Sequence, residues 1–270
     1  MNKELKVIKL KENLYRIQED STFMNVDAYL ICGRKQAMVI DGLGITQGLL
    51  QCVREITDKP AFMIVTHGHP DHAGAGMKEF LEAGCDVYLA SADRELVKEY
   101  AQGVDLSDLK EIEESFDLGG ICIKSMAMPG HTPGSVMLFW EEEGFLFSSD
   151  AIGSGSLWMQ LPESSSLEEY LVVLKELQHF MDRRPEIKIF PGHSWQISTL
   201  MKERTDYIGR EYLKELIQLT EQVLDGSLVG DKKEIHLDFM KEIDVRSVSG
   251  HYVTDYCYDA QKVHAESQMG

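Results

Sequence analysis

Nine histidines occur in these 270 residues, and five of them fall in turns just beyond segments that read as strands. The densest group is Thr66-His67-Gly68-His69-Pro70-Asp71-His72, which follows the apolar run Phe62-Met63-Ile64-Val65. Imidazole is the commonest borderline metal ligand, and carboxylate oxygen complements it on zinc, iron or manganese. Four such groups in six residues cannot share one helix face, but a turn can splay them toward two adjacent metal positions. His131, in Pro129-Gly130-His131-Thr132-Pro133-Gly134-Ser135, and His193, in Pro191-Gly192-His193, each follow Pro-Gly after a strand. That dipeptide suits a sharp turn presenting a side chain. An ordinary role as polar loop residues has to account for all three turns at once, so metal-assisted chemistry is the expectation.

Elements that would carry these turns are legible in the periodicity. The first 41 residues alternate as strands at 6–10, 14–17, 26–31 and 37–40, with a Gly33-Arg34-Lys35 turn, and predict antiparallel hairpins. Leu49, Val53 and Ile56 then recur at helical spacing before the apolar run 62–65, which is of the type buried on both faces. A helix is expected over 73–83, closed by Gly84, then a strand at 86–90 and a helix from Ser91 that fades near Gly103. Residues 105–115 read as an acidic, solvated connector. Strands are expected at 121–126, 136–140 and 145–147, and 153–166 reads as a long Gly/Ser loop. Ser166 with Glu169 forms a capping-box pattern ahead of a helix with Leu167, Tyr170, Leu171, Leu174, Leu177 and Phe180 on one face. A short buried strand at 187–190 and a long amphipathic helix with Tyr212, Leu216, Leu219 and Val223 follow. From Asp225 the chain is polar with weak periodicity.

The run His67-Gly68-His69-Pro70-Asp71-His72 resembles the H-x-H-x-D-H signature of the metallo-β-lactamase-fold superfamily, and Ala73-Gly74-Ala75-Gly76 is similar to its small-residue continuation. Asp41, His131, Asp150 and His193 fall in the order that family shows, so the matching motifs span about 26–193. The resemblance is closest to the glyoxalase II-like and lactonase-like groups. It implies an α/β (α+β) fold, a four-layer αβ/βα sandwich over residues 1–197, with a C-terminal helix and tail over 198–270 packing on the same domain. It also implies two divalent metal ions, zinc first, with iron and manganese as the other candidates. By the family pattern His67, His69 and His131 hold one ion, Asp71, His72 and His193 the other, and Asp150 bridges them. Seven ligands leave both ions room for a shared water, the open position a catalytic site requires. A metal-bridging hydroxide then attacks the substrate, with Asp71 as the catalytic residue orienting it and handling its proton. Asp41 is read as fixing a ligand's orientation.

The pattern has departures. Ser149 precedes Asp150 where many relatives have Gly, and Asp150-Ala151-Ile152-Gly153-Ser154-Gly155-Ser156-Leu157-Trp158-Met159 differs from the usual thioesterase continuation. Trp158 and Met159 are expected either as an apolar wall of the cleft or as packing. His251 and Tyr252 are expected either over the site or as isolated surface side chains. His179, His236 and His264 carry no companion motif and are read as structural or exposed.

The expected activity is a dinuclear metal-dependent hydrolase of a small ester, thioester, lactone or related substrate. An iron-dependent thiol or persulfide dioxygenase on the same fold is the alternative, and a phosphodiesterase or ribonuclease stands behind it. Against nucleic acid stands the charge: 27 Lys+Arg face 45 Asp+Glu, a formal −18, so the clustered cations that phosphate needs are missing. The same acidity disfavours anionic membranes. A small-molecule substrate is therefore expected, with no nucleic-acid or membrane partner, and a homodimer through the long helix is one option. Residues 1–18 hold no apolar segment of the kind that directs export, and no run reaches the roughly 18 apolar residues of a membrane span. Five scattered cysteines without a C-x-x-C pair read as reduced thiols, which makes the cytoplasm the expected location.

Overall fold

Period-2 alternation over the first twenty residues folds into a hairpin with one apolar face to bury, while the strands at 25–32 and 37–40 that extend it are buried on both faces. The computed structural model describes residues 5–20, 25–98, 101, 105–202, 205–237 and 240–263. Gly103 and His264 lie outside them. The chain divides into two units, one of Met1–Ala127 with Gly134–Glu143, the other of Met128–Pro133 with Gly144–Gly270.

In the first unit β1 (Lys6–Lys11), β2 (Leu14–Asp20), β3 (Asn25–Cys32) and β4 (Ala37–Ile40) pair antiparallel in chain order. Helix α1 (Leu49–Ile56) leads to β5 (Ala61–Ile64), and α2 (Ala75–Glu82) to β6 (Val87–Tyr88). A 3-10 turn at Ser91–Asp93 and α3 (Arg94–Lys98) precede β7 (Leu109–Lys110). From β4 to β7 the pairing is parallel, completing a seven-stranded sheet. Parallel strands covered on both faces need continuous apolar runs, and β4 is buried at all four positions. Leu30, Val39 and Met63 of the sheet share one core with Leu49 and Val53 of α1 and Phe80 of α2. Strands β8 (Ser115–Asp117), β9 (Cys122–Ala127) and β10 (Val136–Trp140) form an antiparallel set.

In the second unit β11 (Phe145–Ser149), β12 (Ser156–Met159), α4 (Leu167–Asp182), β13 (Lys188–Pro191), α5 (Ser194–Thr199) and α6 (Arg210–Leu224) are followed by β14 (Asp231–Lys232), β15 (Val245–Val248) and β16 (Asp255–Asp259). Strand β11 runs parallel to β13, and β12 joins a sheet of order β12-β16-β15-β14. The capping box forms as expected: Ser166 Oγ accepts the Glu169 N–H while the Glu169 carboxylate accepts the Ser166 N–H. Tyr170, Leu174 and Leu177 of α4 are buried, as are Tyr212, Leu216 and Leu219 of α6, and the two helices pack together.

Three readings of the sequence need correction. The Gly/Ser stretch 153–166 contains β12, because Leu157 and Met159 are buried while the strand pairs with β16, a partner about a hundred residues away. Residues 105–115 are not a bare connector, since Leu109 is buried in β7 beside β6. The segment after Asp225 supplies three strands, with Tyr256 and Tyr258 buried. In each case long-range pairing outweighs weak local periodicity. Among the described residues no helix is long and apolar enough to cross a membrane.

Candidate metal centre

Chemistry-bearing side chains in the first unit cluster where parallel strands end. Asp41 follows β4, the histidine turn follows β5, and Asp93 follows β6, so three loops leave the same carboxyl edge of the sheet. Loops at that edge are the usual ligand-binding side of an α/β sheet. Asp41 has a positive φ of 66° and still donates its N–H to Ile64 O at 2.9 Å. Its carboxylate is buried and accepts from Thr66 N–H (2.8 Å) and Thr66 Oγ (2.8 Å), and its Oδ2 lies 2.9 Å from His72 Nδ1. A carboxylate only accepts, so His72 carries its proton on Nδ1 and leaves Nε2 for a metal. That Nε2 is 3.6 Å from Asp71 Oδ2. The His67 and His69 rings meet edge to face at 4.8 Å, and those of His67 and His72 lie 4.4 Å apart.

The small residues after His72 have a physical reason. Main-chain N–H groups of Gly74, Ala75 and Gly76 donate to the carbonyls of Leu43, Gly44 and Gly42, so the loop after β4 lies flat against the motif. A Cβ on Gly74 would stand 2.0 Å from Gly44 O. The loop is held from its other side by the buried Glu19 carboxylate, which accepts the N–H groups of Gly44 and Ile45.

The second unit repeats the arrangement. Asp150 follows β11 and His193 follows β13, two strands of that unit that pair in parallel. Asp150 Oδ2 lies 3.1 Å from His193 Nε2 and 4.0 Å from His131 Nε2. His131 Nδ1 donates to the Trp158 carbonyl at 2.8 Å, which leaves its Nε2 as the metal-capable nitrogen. The loop after Asp150 is shaped by two buried phenols: Tyr170 donates to Ala151 O at 2.7 Å and Tyr212 to Ile152 O at 2.8 Å. Burial pushes both phenols above their ordinary value, so they remain donors.

The donor set fits divalent metal. Two ligands each about 2.0–2.2 Å from a tetrahedral ion stand roughly 3.4 Å apart, the range spanned by the pairs at 3.1, 3.6 and 4.0 Å. The first unit offers three imidazoles and a carboxylate, those of His67, His69, His72 and Asp71, and the second two imidazoles and a carboxylate, those of His131, His193 and Asp150. Imidazole with carboxylate suits zinc, iron and manganese alike.

Among the other expected residues, the half-buried Trp158 enters through its carbonyl rather than its indole. His251 is exposed, its ring T-shaped against Tyr252, with its N–H and those of Tyr252 and Val253 held by the Glu215 carboxylate. Sequence reasoning missed Glu19, Tyr170 and Tyr212 as shapers of these loops. For the tyrosines a signal existed: each sits on an apolar helix stripe, where a hydroxyl must find a partner.

A family profile described as the metallo-beta-lactamase superfamily matches residues 21–193. The acyl-coenzyme A thioesterase MBLAC2 of Gallus gallus is 29% identical over 211 residues, covering 66% of this chain and 75% of that protein. A hydroxyacylglutathione hydrolase of Methylococcus capsulatus is 30% identical over 159 residues, 58% of this chain and 57% of that one. Among solved structures, a metallo-beta-lactamase from Pontibacter korlensis superposes with a TM-score of 0.61 at 18% identity, covering 81% of this chain and 99% of that one. Similarity at that identity shows the fold alone, and it is the mixed α/β fold expected from the motifs.

Proposed function

This chain belongs to the metallo-beta-lactamase superfamily, and from that membership we propose that it is a dinuclear metal-dependent hydrolase in which His67, His69, Asp71, His72, His131, Asp150 and His193 hold two divalent ions. The observation that supports this most is the preparation of the ligands. His72 and His131 each have Nδ1 committed to a buried acceptor, Asp41 Oδ2 and Trp158 O, so that Nε2 is the nitrogen presented in both halves. Such partners fix ring orientation and raise ligand basicity.

When bound, the two ions would supply a polarised carbonyl oxygen and a water acidified toward neutral pH. The chain's own groups do the rest. Asp71, beside His72 Nε2, orients the attacking water and takes its proton at a carboxylate oxygen. Asp41 keeps the His72 ring from turning. Trp158 O does the same for His131, while Tyr170 and Tyr212 hold the loop after Asp150 in one conformation.

The names of the two relatives make an acyl thioester the first substrate to test, with esters and lactones after it. We place zinc first among the metals and read the partner as a small molecule in the cytoplasm, where the five free cysteines would stay reduced. The test is metal content and thioester hydrolysis in the wild type, His69→Ala and Asp150→Asn. Both properties are expected to fall together in each variant. Full hydrolysis by metal-free protein overturns the reading, and oxygen consumption by an iron-loaded form in place of hydrolysis reassigns the reaction.

A further inference from the structure

We propose that Asp93 is a positioning residue for this centre, fixing the backbone between His67 and His69 against the turn that follows His131. The inference rests on the metal reading above and adds a residue that the family motifs do not contain.

Asp93 closes the 3-10 turn after β6 and is fully buried. Its Oδ2 accepts the Gly68 N–H at 2.7 Å and its Oδ1 accepts the Gly134 N–H at 2.6 Å. Gly68 is the single residue between His67 and His69, and Gly134 lies three residues after His131. One carboxylate therefore joins two backbone points, one directly between His67 and His69 and the other three residues beyond His131. A second tie runs between the same segments, since Val136 N–H donates to Thr66 O at 2.9 Å. Residues 66–68 and 134–136 are thus pinned twice.

Both glycines are required by this contact. A Cβ on Gly134 would lie 2.6 Å from Asp93 Cγ, and one on Gly68 would lie 2.9 Å from Asp93 O and 3.1 Å from Asp93 Cβ. Burying a carboxylate is costly unless its oxygens are hydrogen-bonded, and here two main-chain N–H groups satisfy them. Packing alone would be served by an apolar side chain of similar volume. What only the carboxylate supplies is two acceptors at a fixed separation, and so a fixed spacing between the two segments.

Asp93→Asn tests this, because it keeps the volume and replaces one acceptor by a donor. Protein stripped by a chelator is titrated with zinc and, for its absorption spectrum, with cobalt(II). The variant is expected to bind the ion of His67, His69 and His131 about 10- to 100-fold more weakly, with an altered cobalt spectrum and the other ion unaffected. Glu79→Gln is the control, since Glu79 also accepts two main-chain N–H groups, those of Gly48 and Leu50, away from the motif. It should lower stability and leave both affinities unchanged. Gly68→Ala, whose Cβ presses on Asp93, is a milder second variant and must show the same selective loss should Asp93→Asn not fold. Wild-type affinities in Asp93→Asn or in Gly68→Ala overturn the inference, as does an equal loss in Glu79→Gln. Wild-type protein that takes up no metal overturns the proposed function itself, and this inference with it.

Discussion

Asp41 Oδ2 lies 2.9 Å from His72 Nδ1, while Oδ1 of the same carboxylate accepts both the N–H and the hydroxyl of Thr66. One buried acid thus fixes a ring and the entry to the motif that contains it. Asp41→Ala leaves the Thr66 N–H and the His72 Nδ1–H in the interior without their acceptor. The metal-free protein should lose about 1–3 kcal/mol in urea denaturation, and metal affinity should fall about 10- to 100-fold. An unchanged affinity would mean that Asp41 only supports the fold.

Gly74 is expected to tolerate no side chain. The Cβ of Gly74→Ala would meet Gly44 O at 2.0 Å, so either α2 or the loop after β4 must move. A loss of about 2–3 kcal/mol or more follows by analogy with overpacked cores. Denaturation midpoints at constant m-value measure it, and a neutral substitution would show that the loop is free to shift.

Ser149 sits at φ 46°, a left-handed conformation disfavoured for a residue with a Cβ by roughly 1–2 kcal/mol. Ser149→Gly removes that strain at some cost in chain entropy, leaving a predicted gain of up to about 1 kcal/mol. Thermal unfolding of the metal-free pair checks this; a clear loss would assign the Ser149 side chain a role of its own.

Alkaline pH should destabilise the protein through buried acids that are neutral when folded. Burial pushes the Cys257 thiol up to about 12 from 9.0, with Asp255 adding to the rise. Burial also raises the phenols of Tyr170, Tyr212 and Tyr256 above 10.0. These groups ionise first in the unfolded chain, so their contribution is complete below about pH 9 and is lost as pH climbs toward 12. The urea midpoint should fall steadily from pH 9 to pH 11. A flat profile would contradict this account of their burial.

The residues proposed to hold metal stood out in the sequence because their chemistry is local. His67 to His72 lie in one turn, and His131, Asp150 and His193 each follow a recognisable strand, so residue type and position along the chain marked them as candidates. Hairpins β1–β4, helix α2 with its Gly84 stop, and the Ser166–Glu169 capping box were legible for the same reason: each is set by neighbours within a few residues. Strand β12 was not, because its partner β16 is about a hundred residues away and nothing in Ser156-Leu157-Trp158-Met159 announces the pairing. Asp93 was hidden by ordinariness. An aspartate at the start of a helix reads as a cap, and only the fold shows that its carboxylate faces Gly68 and Gly134.

On the proposed function, hydrolysis requires two metal ions held by the seven His and Asp side chains. Stepwise addition of zinc to chelator-stripped protein, with acyl-thioester hydrolysis as the readout, tests this requirement most directly. No hydrolysis is expected without metal, and full activity is expected once two equivalents per chain are bound. Full activity in the stripped protein, or saturation with no metal retained, would contradict it.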